Sequence, residues 1–274
     1  MPELPEVEVI RRGLLPHLLQ KKVTRVVSCN RKLRFPVPRK GLTCFVQGSR
    51  VTAVDRRAKY LLFAMDSGAL MVVHLGMTGR LILMPAGSAR SVHDHLRFFL
   101  DSGKELRFND VRRFGSVRLL QPGHDNGARV FAGLGPEPLG RDFSPEYLYR
   151  YTRGKSKPLK NLLMDSRAVV GIGNIYANEI LFAAGLSPER PAGTLSRQGC
   201  QRLVQSCRHV LLRAIECGGT TIADFVNSSG SPGYFQAELQ VYGRKDEACL
   251  RCGAAIIRQS LAGRATFSCP HCQR

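Results

Sequence analysis

Four cysteines near the C-terminus constrain this chain more than any other feature of its sequence. They form two CxxC pairs separated by sixteen residues, and they are Cys249, Cys252, Cys269 and Cys272. Each CxxC turn lets two sulfurs converge, and sixteen residues suffice for a β-hairpin, so the four thiolates can bind one tetrahedral Zn²⁺. Because protein ligands fill all four positions, the predicted site is structural, and His271 is interpreted as a bystander. The alternative is a pair of disulfides.

The charge of the chain indicates a polyanionic partner. Its 41 Lys and Arg outnumber its 21 Asp and Glu, for a net charge of +20 and a pI near 10.2. Nucleic acid is the polyanion that we expect for such a field. The alternatives are a solvated basic surface and an anionic membrane, although the basic residues do not follow one amphipathic helix.

The remaining sequence features predict an intracellular protein. No apolar run approaches the roughly 18 residues of a membrane span, and no signal peptide precedes the charged start. Five further cysteines lie among apolar neighbours, which is typical of reduced, buried thiols in a cytosol. They are Cys29, Cys44, Cys200, Cys207 and Cys217.

The first half of the chain predicts one helix followed by a β-rich region. Val7, Ile10, Leu14 and Leu18 recur at helical spacing over residues 3–19. From about residue 22 to 120, short β segments alternate with turns, which favours an antiparallel sandwich or barrel. The candidate strands are 23–27, 42–46, 50–54, 60–65, 69–74, 80–84, 95–100, 105–109 and 116–120.

The second half predicts helices. Two prolines and three glycines within residues 133–140 indicate a linker. The candidate helices that follow are about 145–152, 157–165, 175–184 and 197–217. Ser144 and Ser196 are the expected N-caps of the first and last of these, and Gly185 ends the third.

A glycine-rich turn precedes the helix at 175–184. Gly171 and Gly173 flank Ile172, and Asn174 is the expected N-cap. Backbone N–H groups and the helix dipole make such a turn an anion site. A tight turn between two helices also needs glycines, so both interpretations stay open.

Six ordered segments resemble bacterial formamidopyrimidine-DNA glycosylases. They are MPELPEVE, RRAKYLL, HLGMTGR, VRRFG, VVGIGNIYANE and the terminal cysteine segment, and the resemblance extends over essentially the full length. It implies a base-excision repair DNA glycosylase with AP lyase activity. Such an enzyme removes oxidised purines (8-oxoguanine and formamidopyrimidines) from duplex DNA and leaves a one-nucleoside gap with phosphate ends.

The resemblance implies a catalytic role for the N-terminus. The secondary amine of Pro2, exposed once Met1 is removed, would attack C1′ and form a Schiff base. Glu3 would act as the general acid and base, and Glu6 would organise the site through hydrogen bonds. Without the resemblance, Pro2 is interpreted as a helix-start residue, and Glu3 as a complement to the helix dipole.

Further residues match the family's DNA contacts. Lys59 and Arg264 would contact phosphate and donate protons for β- and δ-elimination, respectively. The other expected DNA-binding residues are His74, His93, Arg112, Lys155 and Asn174. Individually, the cationic residues are interpreted as solvated surface charges, and His74 as a satisfied core residue.

A flipped-out base leaves a gap in the duplex, and the resemblance implies which residues fill it. Met77, Arg112 and Phe114 match the family's inserted residues, although core packing is the alternative for Met77 and Phe114. Val111 stands where the family usually has proline. The lesion-reading loop is expected within residues 220–235, and Ala223 falls where some relatives carry lysine.

The predicted fold class is α+β. An N-terminal antiparallel β-sandwich with a leading helix (residues 1–132) precedes a linker (133–146). A helix–two-turn–helix DNA-binding domain (147–238) and a four-cysteine zinc-finger β-hairpin (239–274) follow. We expect a monomer in the bacterial cytoplasm, associated with the nucleoid, that binds damaged double-stranded DNA and no membrane.

Two other functions are considered. An endonuclease VIII-type enzyme has the same nucleophile but acts on oxidised pyrimidines; Leu4 and the set Met77, Arg112 and Phe114 favour the purine branch. A non-catalytic zinc-ribbon DNA-binding protein would explain the charge and the cysteines, but it would leave Pro2 and Glu3 without a role.

Overall fold

The computed structural model describes residues 2–29, 31–123, 130–220 and 235–274. The chain divides into one unit of residues 1–132 with 218–234 and a second unit of residues 133–217 with 235–274. Each unit has a hydrophobic core of its own. Within the described ranges, no helix is both long enough and apolar enough to cross a lipid bilayer.

The first unit begins with helix α1 (Leu4–Leu18). The predicted apolar stripe of Val7, Ile10, Leu14 and Leu18 is buried, with at most 1% of each residue exposed. This stripe joins the core of the unit, because residues three and four apart lie on the same face of a helix. The helical interpretation of the N-terminus is therefore confirmed.

Two four-stranded antiparallel sheets follow. The strands are β1 (Val23–Ser28), β2 (Val51–Arg57), β3 (Tyr60–Met65), β4 (Leu70–His74), β5 (Gly79–Pro85), β6 (Asp94–Leu100), β7 (Lys104–Asp110) and β8 (Ser116–Leu120). They lie in the orders β1-β6-β7-β5 and β2-β3-β4-β8. Side chains that alternate along the strands pack into the core of the unit, as expected of the predicted antiparallel β region.

The predicted strand at 42–46 is wrong. Helix α2 (Arg39–Phe45) occupies this segment. Leu42 and Val46 are both fully buried, and their spacing of four places them on one side of a helix. Leu42, Cys44 and Val46 also alternate, so the sequence pattern alone fits a strand equally well. Cys44 is exposed, which shows that only the helical period is used.

The second unit is helical, as predicted, and ends in a hairpin. The elements are α3 (Pro145–Thr152), α4 (Leu159–Leu163), α5 (Asn174–Ala184), α6 (Arg197–Glu216), β9 (Ile257–Leu261) and β10 (Arg264–Ser268). Ser144 and Ser196 cap α3 and α6 by accepting from the N–H groups of Tyr147 and Gly199, and Gly185 ends α5 with a left-handed φ of 67°.

A buried ionic network joins β6 to β7 in the first unit. The guanidinium of Arg107 pairs with Asp94 at 3.0 Å and with Glu105, and it donates to the carbonyl oxygens of Ser88 and Ala89 at 2.6 Å. Glu105 is fully buried and Arg107 is 2% exposed. A charge in such a position is tolerated only while its partners remain.

The substitution Arg107→Met should destabilise this unit strongly. It leaves the carboxylates of Asp94 and Glu105 buried with fewer donors, so we expect the free energy of unfolding to fall by about 3–5 kcal/mol in urea denaturation. Arg50→Met is the control, because Arg50 and Asp101 form a half-exposed pair at 3.4 Å worth at most about 1 kcal/mol. Equal losses of unfolding free energy in the two variants would contradict a stabilising buried ionic network at Arg107.

Candidate functional site

The N-terminal residues are buried and held in place. Pro2 is buried directly before α1, and Glu3, the N-cap, is 3% exposed. The backbone N–H of Glu3 donates to Oε2 of Glu6 at 2.8 Å, as part of a capping box. The structure thus places the two predicted catalytic residues side by side at the start of a well-anchored helix.

The other carboxylate oxygen of Glu6 binds a distant segment of the same unit. Oε1 accepts from both the N–H and the hydroxyl of Thr220, each at 2.9 Å, and Glu6 and Thr220 are both 2% exposed. Gly219 has a φ of +80°, and a Cβ there would lie 3.1 Å from Oε1 of Glu6. Residues 221–234, which include Ala223 and most of the predicted lesion-reading loop, lie outside the described residues.

Lys59 and His74 lie close together in the first unit. Lys59 follows Ala58, whose φ is +54°, in the turn between β2 and β3. Tyr60 packs on His74 with 4.9 Å between ring centroids. Burial, followed by the charges of Lys59 and other cations, lowers the pKa of His74 to about 4. The imidazole is therefore neutral at pH 7.

The hydrogen bonding of His74 fixes its tautomer. Its Nδ1 accepts from the N–H of Gly76 at 3.0 Å, so the proton of the neutral ring is on Nε2. Such a ring presents one N–H donor without a charge. His93, the other expected histidine contact, is half-buried just before β6.

Two neighbouring loops carry the predicted void-filling residues. Met77 and Phe114 are 40% and 46% exposed, so they are not core residues. The guanidinium of Arg112 lies over the ring of Phe114, 4.7 Å from its centroid. The loops pack back to back at Gly76, where a Cβ would lie 2.4 Å from the carbonyl carbon of Phe114.

In the second unit, Asn174 and Arg264 both lie at β10. The predicted N-cap role of Asn174 is wrong, because Gly173 is the N-cap of α5. The Asn174 side chain instead donates to the carbonyl of Ala265 at 3.0 Å, which draws it away from the helix end. Its Oδ1 is buried and has no hydrogen-bond partner among the described residues. Arg264 is exposed at the first position of β10.

Sequence reasoning missed Lys160, the buried lysine of this region. Its Nζ donates to the carbonyl of Ala265 at 2.8 Å and to Oγ1 of Thr266 at 2.7 Å. Burial, followed by the charge of Arg264, lowers the pKa of Lys160 to about 8. Lys155, by contrast, is exposed, with its Nζ over the ring of Tyr151.

Replacing Lys160 by Met should reveal a pH-dependent term in stability. Below about pH 8 the lysine is protonated in both folded and unfolded chains, whereas between about pH 8 and 10.5 only the unfolded chain holds the proton. Stability from this site therefore rises with pH across that window. The unfolding free energy of the wild type, measured against Lys160→Met, should increase by up to about 3 kcal/mol.

The exposed Lys155, replaced by Met, is the matched control, because water solvates its ammonium in both states. A difference between wild type and Lys160→Met that stays flat from pH 8 to 10.5, or falls, would show that the buried ammonium carries no desolvation cost.

The four C-terminal cysteines converge. Their sulfurs all lie within 4.8 Å of one another, with 3.9 Å between Cys249 and Cys272 and 3.4 Å between Cys252 and Cys269. A tetrahedral zinc with bonds of about 2.3 Å places sulfurs about 3.8 Å apart, whereas a disulfide needs about 2.0 Å. The donor set therefore fits Zn²⁺ and not a pair of disulfides.

Loss of one zinc ligand should remove the metal. We expect Cys252→Ser to lower the zinc content from one ion per chain to near zero, and to unfold the hairpin β9–β10. Elemental analysis with hydrogen exchange of residues 246–274 measures both effects. Cys44→Ser, which changes an exposed cysteine elsewhere, should retain the metal; a metal-free but ordered Cys252→Ser hairpin would contradict the assignment.

Three family models match the chain in order. They are the Formamidopyrimidine-DNA glycosylase N-terminal domain over residues 1–117, the Formamidopyrimidine-DNA glycosylase H2TH domain over 134–226, and the Zinc finger found in FPG and IleRS over 246–274. The last match and the converging sulfurs assign one structural zinc to the chain, as the cysteine spacing predicted.

Relatives match over the full length. The formamidopyrimidine-DNA glycosylases of Stutzerimonas stutzeri and Alteromonas mediterranea are 50% and 48% identical, with 100% of each chain covered. A Lactococcus lactis FPG mutant in complex with Fapy-dG containing DNA is 34% identical with a TM-score of 0.90, covering 100% of both chains. The FPG protein of Thermus thermophilus is 39% identical with a TM-score of 0.86, covering 99% of this chain and 98% of that one.

A complex of wild-type Lactococcus lactis FPG with oxidised pyrimidine containing DNA is also similar, at 33% identity and a TM-score of 0.89, with full coverage of both chains. These matches confirm the α+β fold. The chain belongs to the formamidopyrimidine-DNA glycosylase family, whose members are bifunctional DNA glycosylases and AP lyases of base-excision repair.

Proposed function

We propose that the amine of Pro2, once Met1 is removed, attacks C1′ of a damaged nucleotide in double-stranded DNA. The amine displaces the base and forms an iminium, which acidifies the C2′ hydrogens and permits β- and then δ-elimination. The burial of Pro2 beside Glu3, and the hydrogen bond that joins Glu3 to Glu6 in a member of this family, support the proposal. While Met1 is attached, the Pro2 nitrogen is an unreactive amide.

Glu3 and Glu6 have different roles in this proposal. Glu3 adjoins the amine and is 3% exposed, so it suits a general acid and base that moves protons to and from the opening sugar. Glu6 accepts from Glu3 with one oxygen and from Thr220 with the other. Because both oxygens are engaged, we assign Glu6 a positioning role.

Phosphate binding is assigned residue by residue. In the first unit, Lys59 supplies a charge and proton for β-elimination, and neutral His74 offers its Nε2–H to a phosphate oxygen. His93 and Arg112 are further expected contacts there. In the second unit, the expected contacts are Asn174 and Arg264, with Lys155 as an exposed cation of the same unit. Arg264 would donate the proton for δ-elimination.

Met77, Arg112 and Phe114 suit the space that a flipped base leaves. Two exposed apolar side chains on adjacent loops provide wedges, and the Arg112 guanidinium over Phe114 provides a donor for the unpaired base. Exposed apolar side chains of this size cost solubility, which a function in DNA binding explains.

We infer oxidised purines, 8-oxoguanine and formamidopyrimidines, as the main substrates. The Lactococcus lactis complex with Fapy-dG containing DNA supports this choice. Oxidised pyrimidines are the second candidate, because a relative with the same fold is known in complex with DNA that contains one. Excision of 8-oxoguanine opposite cytosine, compared with excision of thymine glycol, separates the two.

We also propose a monomer in the bacterial cytoplasm, associated with the nucleoid. The domain boundaries predicted from composition, 1–132, 133–146, 147–238 and 239–274, stand as part of this proposal. The net charge of the full chain, +20, supports nucleic-acid binding.

Borohydride trapping tests the nucleophile. The processed protein, incubated with an 8-oxoguanine:cytosine duplex and borohydride, should form a covalent adduct that maps to the N-terminal peptide, because reduction of the iminium makes it permanent. A chain that keeps Met1 behind a short tag should form none, while fluorescence anisotropy shows that it still binds the duplex. An adduct at another residue, or trapping by the tagged chain, would refute the assignment of Pro2.

A further inference from the structure

A cysteine–histidine pair lies in the first unit, outside the residues assigned above. The prediction that all five scattered cysteines are buried is wrong for three of them: Cys29 and Cys217 are partly exposed, and Cys44 is exposed. Cys29 follows β1, and its backbone N–H donates to the carbonyl of His95 at 2.9 Å. This backbone bond continues the β1–β6 pairing by one residue and sets the cysteine beside the histidine.

The histidine is buried and its tautomer is fixed. His95 is 1% exposed, and its Nε2 lies 2.7 Å from the carbonyl oxygen of Asp110. A carbonyl oxygen only accepts hydrogen bonds, so Nε2 carries the proton. In the neutral ring Nδ1 is then an acceptor for the thiol hydrogen of Cys29, whose Sγ lies 3.2 Å away.

This geometry is that of a nucleophile with its base. When Nδ1 takes the thiol proton, both N–H groups of the imidazolium keep a partner, the carbonyl of Asp110 and the thiolate. The guanidinium of Arg39 also lies near the cysteine, where it donates to the Cys29 carbonyl at 2.8 Å. A partly exposed thiol with a base and a nearby cation has the surroundings of a reactive cysteine.

We propose that Cys29 is a reactive thiol and a modification site, oxidised by hydrogen peroxide and alkylated by soft electrophiles. In the oxidation, the proton moves from Sγ to Nδ1 of His95, and the sulfur attacks one oxygen of the peroxide. The O–O bond breaks, and the leaving hydroxide takes the proton back from the imidazolium to give water. The thiol becomes a sulfenic acid, and the peroxide gains the two electrons that the sulfur loses.

This site does not depend on the glycosylase chemistry, and the zinc cysteines take no part in it. Cys44 in α2 provides an internal reference, because it is more exposed than Cys29 and no hydrogen bond to its thiol is found among the described residues. Exposure alone would make Cys44 the faster thiol. The pair predicts the opposite order.

The test is competitive alkylation of the intact, zinc-loaded protein with iodoacetamide at pH 7, with peptide mass spectrometry. We expect Cys29 to react at least about tenfold faster than Cys44, a smaller factor than the roughly hundredfold or more that a positioned base typically contributes. A Cys29 rate equal to or below that of Cys44 would overturn the proposal without any variant.

Two variants locate the cause. In His95→Gln the side-chain amide can still donate toward Asp110 but offers no base to the thiol, so the ratio of Cys29 to Cys44 rates should fall at least about tenfold. His93→Gln, two residues away, is the matched control and should leave the ratio unchanged. An unchanged ratio in His95→Gln would also overturn the proposal.

Peroxide treatment followed by dimedone tests the oxidation itself. The label should appear on Cys29 before Cys44 in the wild type and should be absent from that peptide in Cys29→Ser. Labelling of Cys44 ahead of Cys29 counts against the proposal.

Discussion

The proposed nucleophile, the amine of Pro2, can act only if the N-terminus is held in place, and chain ends ordinarily fray. Glu6 meets this constraint. One oxygen binds the N–H next to Pro2, and the other binds Thr220, more than two hundred residues later. The helix that follows is anchored by a fully buried apolar stripe. The N-terminus is thus buried and hydrogen-bonded in the manner of a core element.

The hairpin of the second unit depends on a comparable arrangement. Two five-residue strands bury too little apolar surface to stay folded alone. The zinc closes one end, and side chains from the helices bind the strand itself. Lys160 and Asn174 share the carbonyl of Ala265, and Asn178 accepts from the N–H of Phe267 at 2.8 Å. Arg264 is therefore presented from a strand fixed by metal and by hydrogen bonds.

Features with a local period or a fixed spacing were predictable from the sequence. Local sequence determines three such features: the apolar stripe of α1, the caps at Ser144 and Ser196, and the cysteine pairs. The secondary structure of residues 42–46 was not predictable, because their apolar spacing fits a strand and a helix equally well. Only the burial of Leu42 and Val46 on one side shows that the segment is a helix.

The contacts of residues whose partners are distant in sequence could not be predicted either. Asn174 was predicted as a helix cap from its place at the start of a helix. Its actual partner, the carbonyl of Ala265 in β10, lies about ninety residues later and could not be foreseen. Nothing around Lys160 distinguishes it from a surface lysine, since its burial depends on a hairpin more than a hundred residues away. The Cys29–His95 pair likewise arises only when β1 and β6 align.

The close packing at Gly76 links two loops mechanically. Its φ of +65° and the 2.4 Å that would separate a Cβ from the Phe114 carbonyl carbon leave no room for any other residue. The loops that carry Met77 and Phe114 are therefore packed directly against each other, and neither can move without displacing the other. If Met77 and Phe114 enter a duplex as proposed, they do so together as one wedge, because a shift of either loop displaces the other.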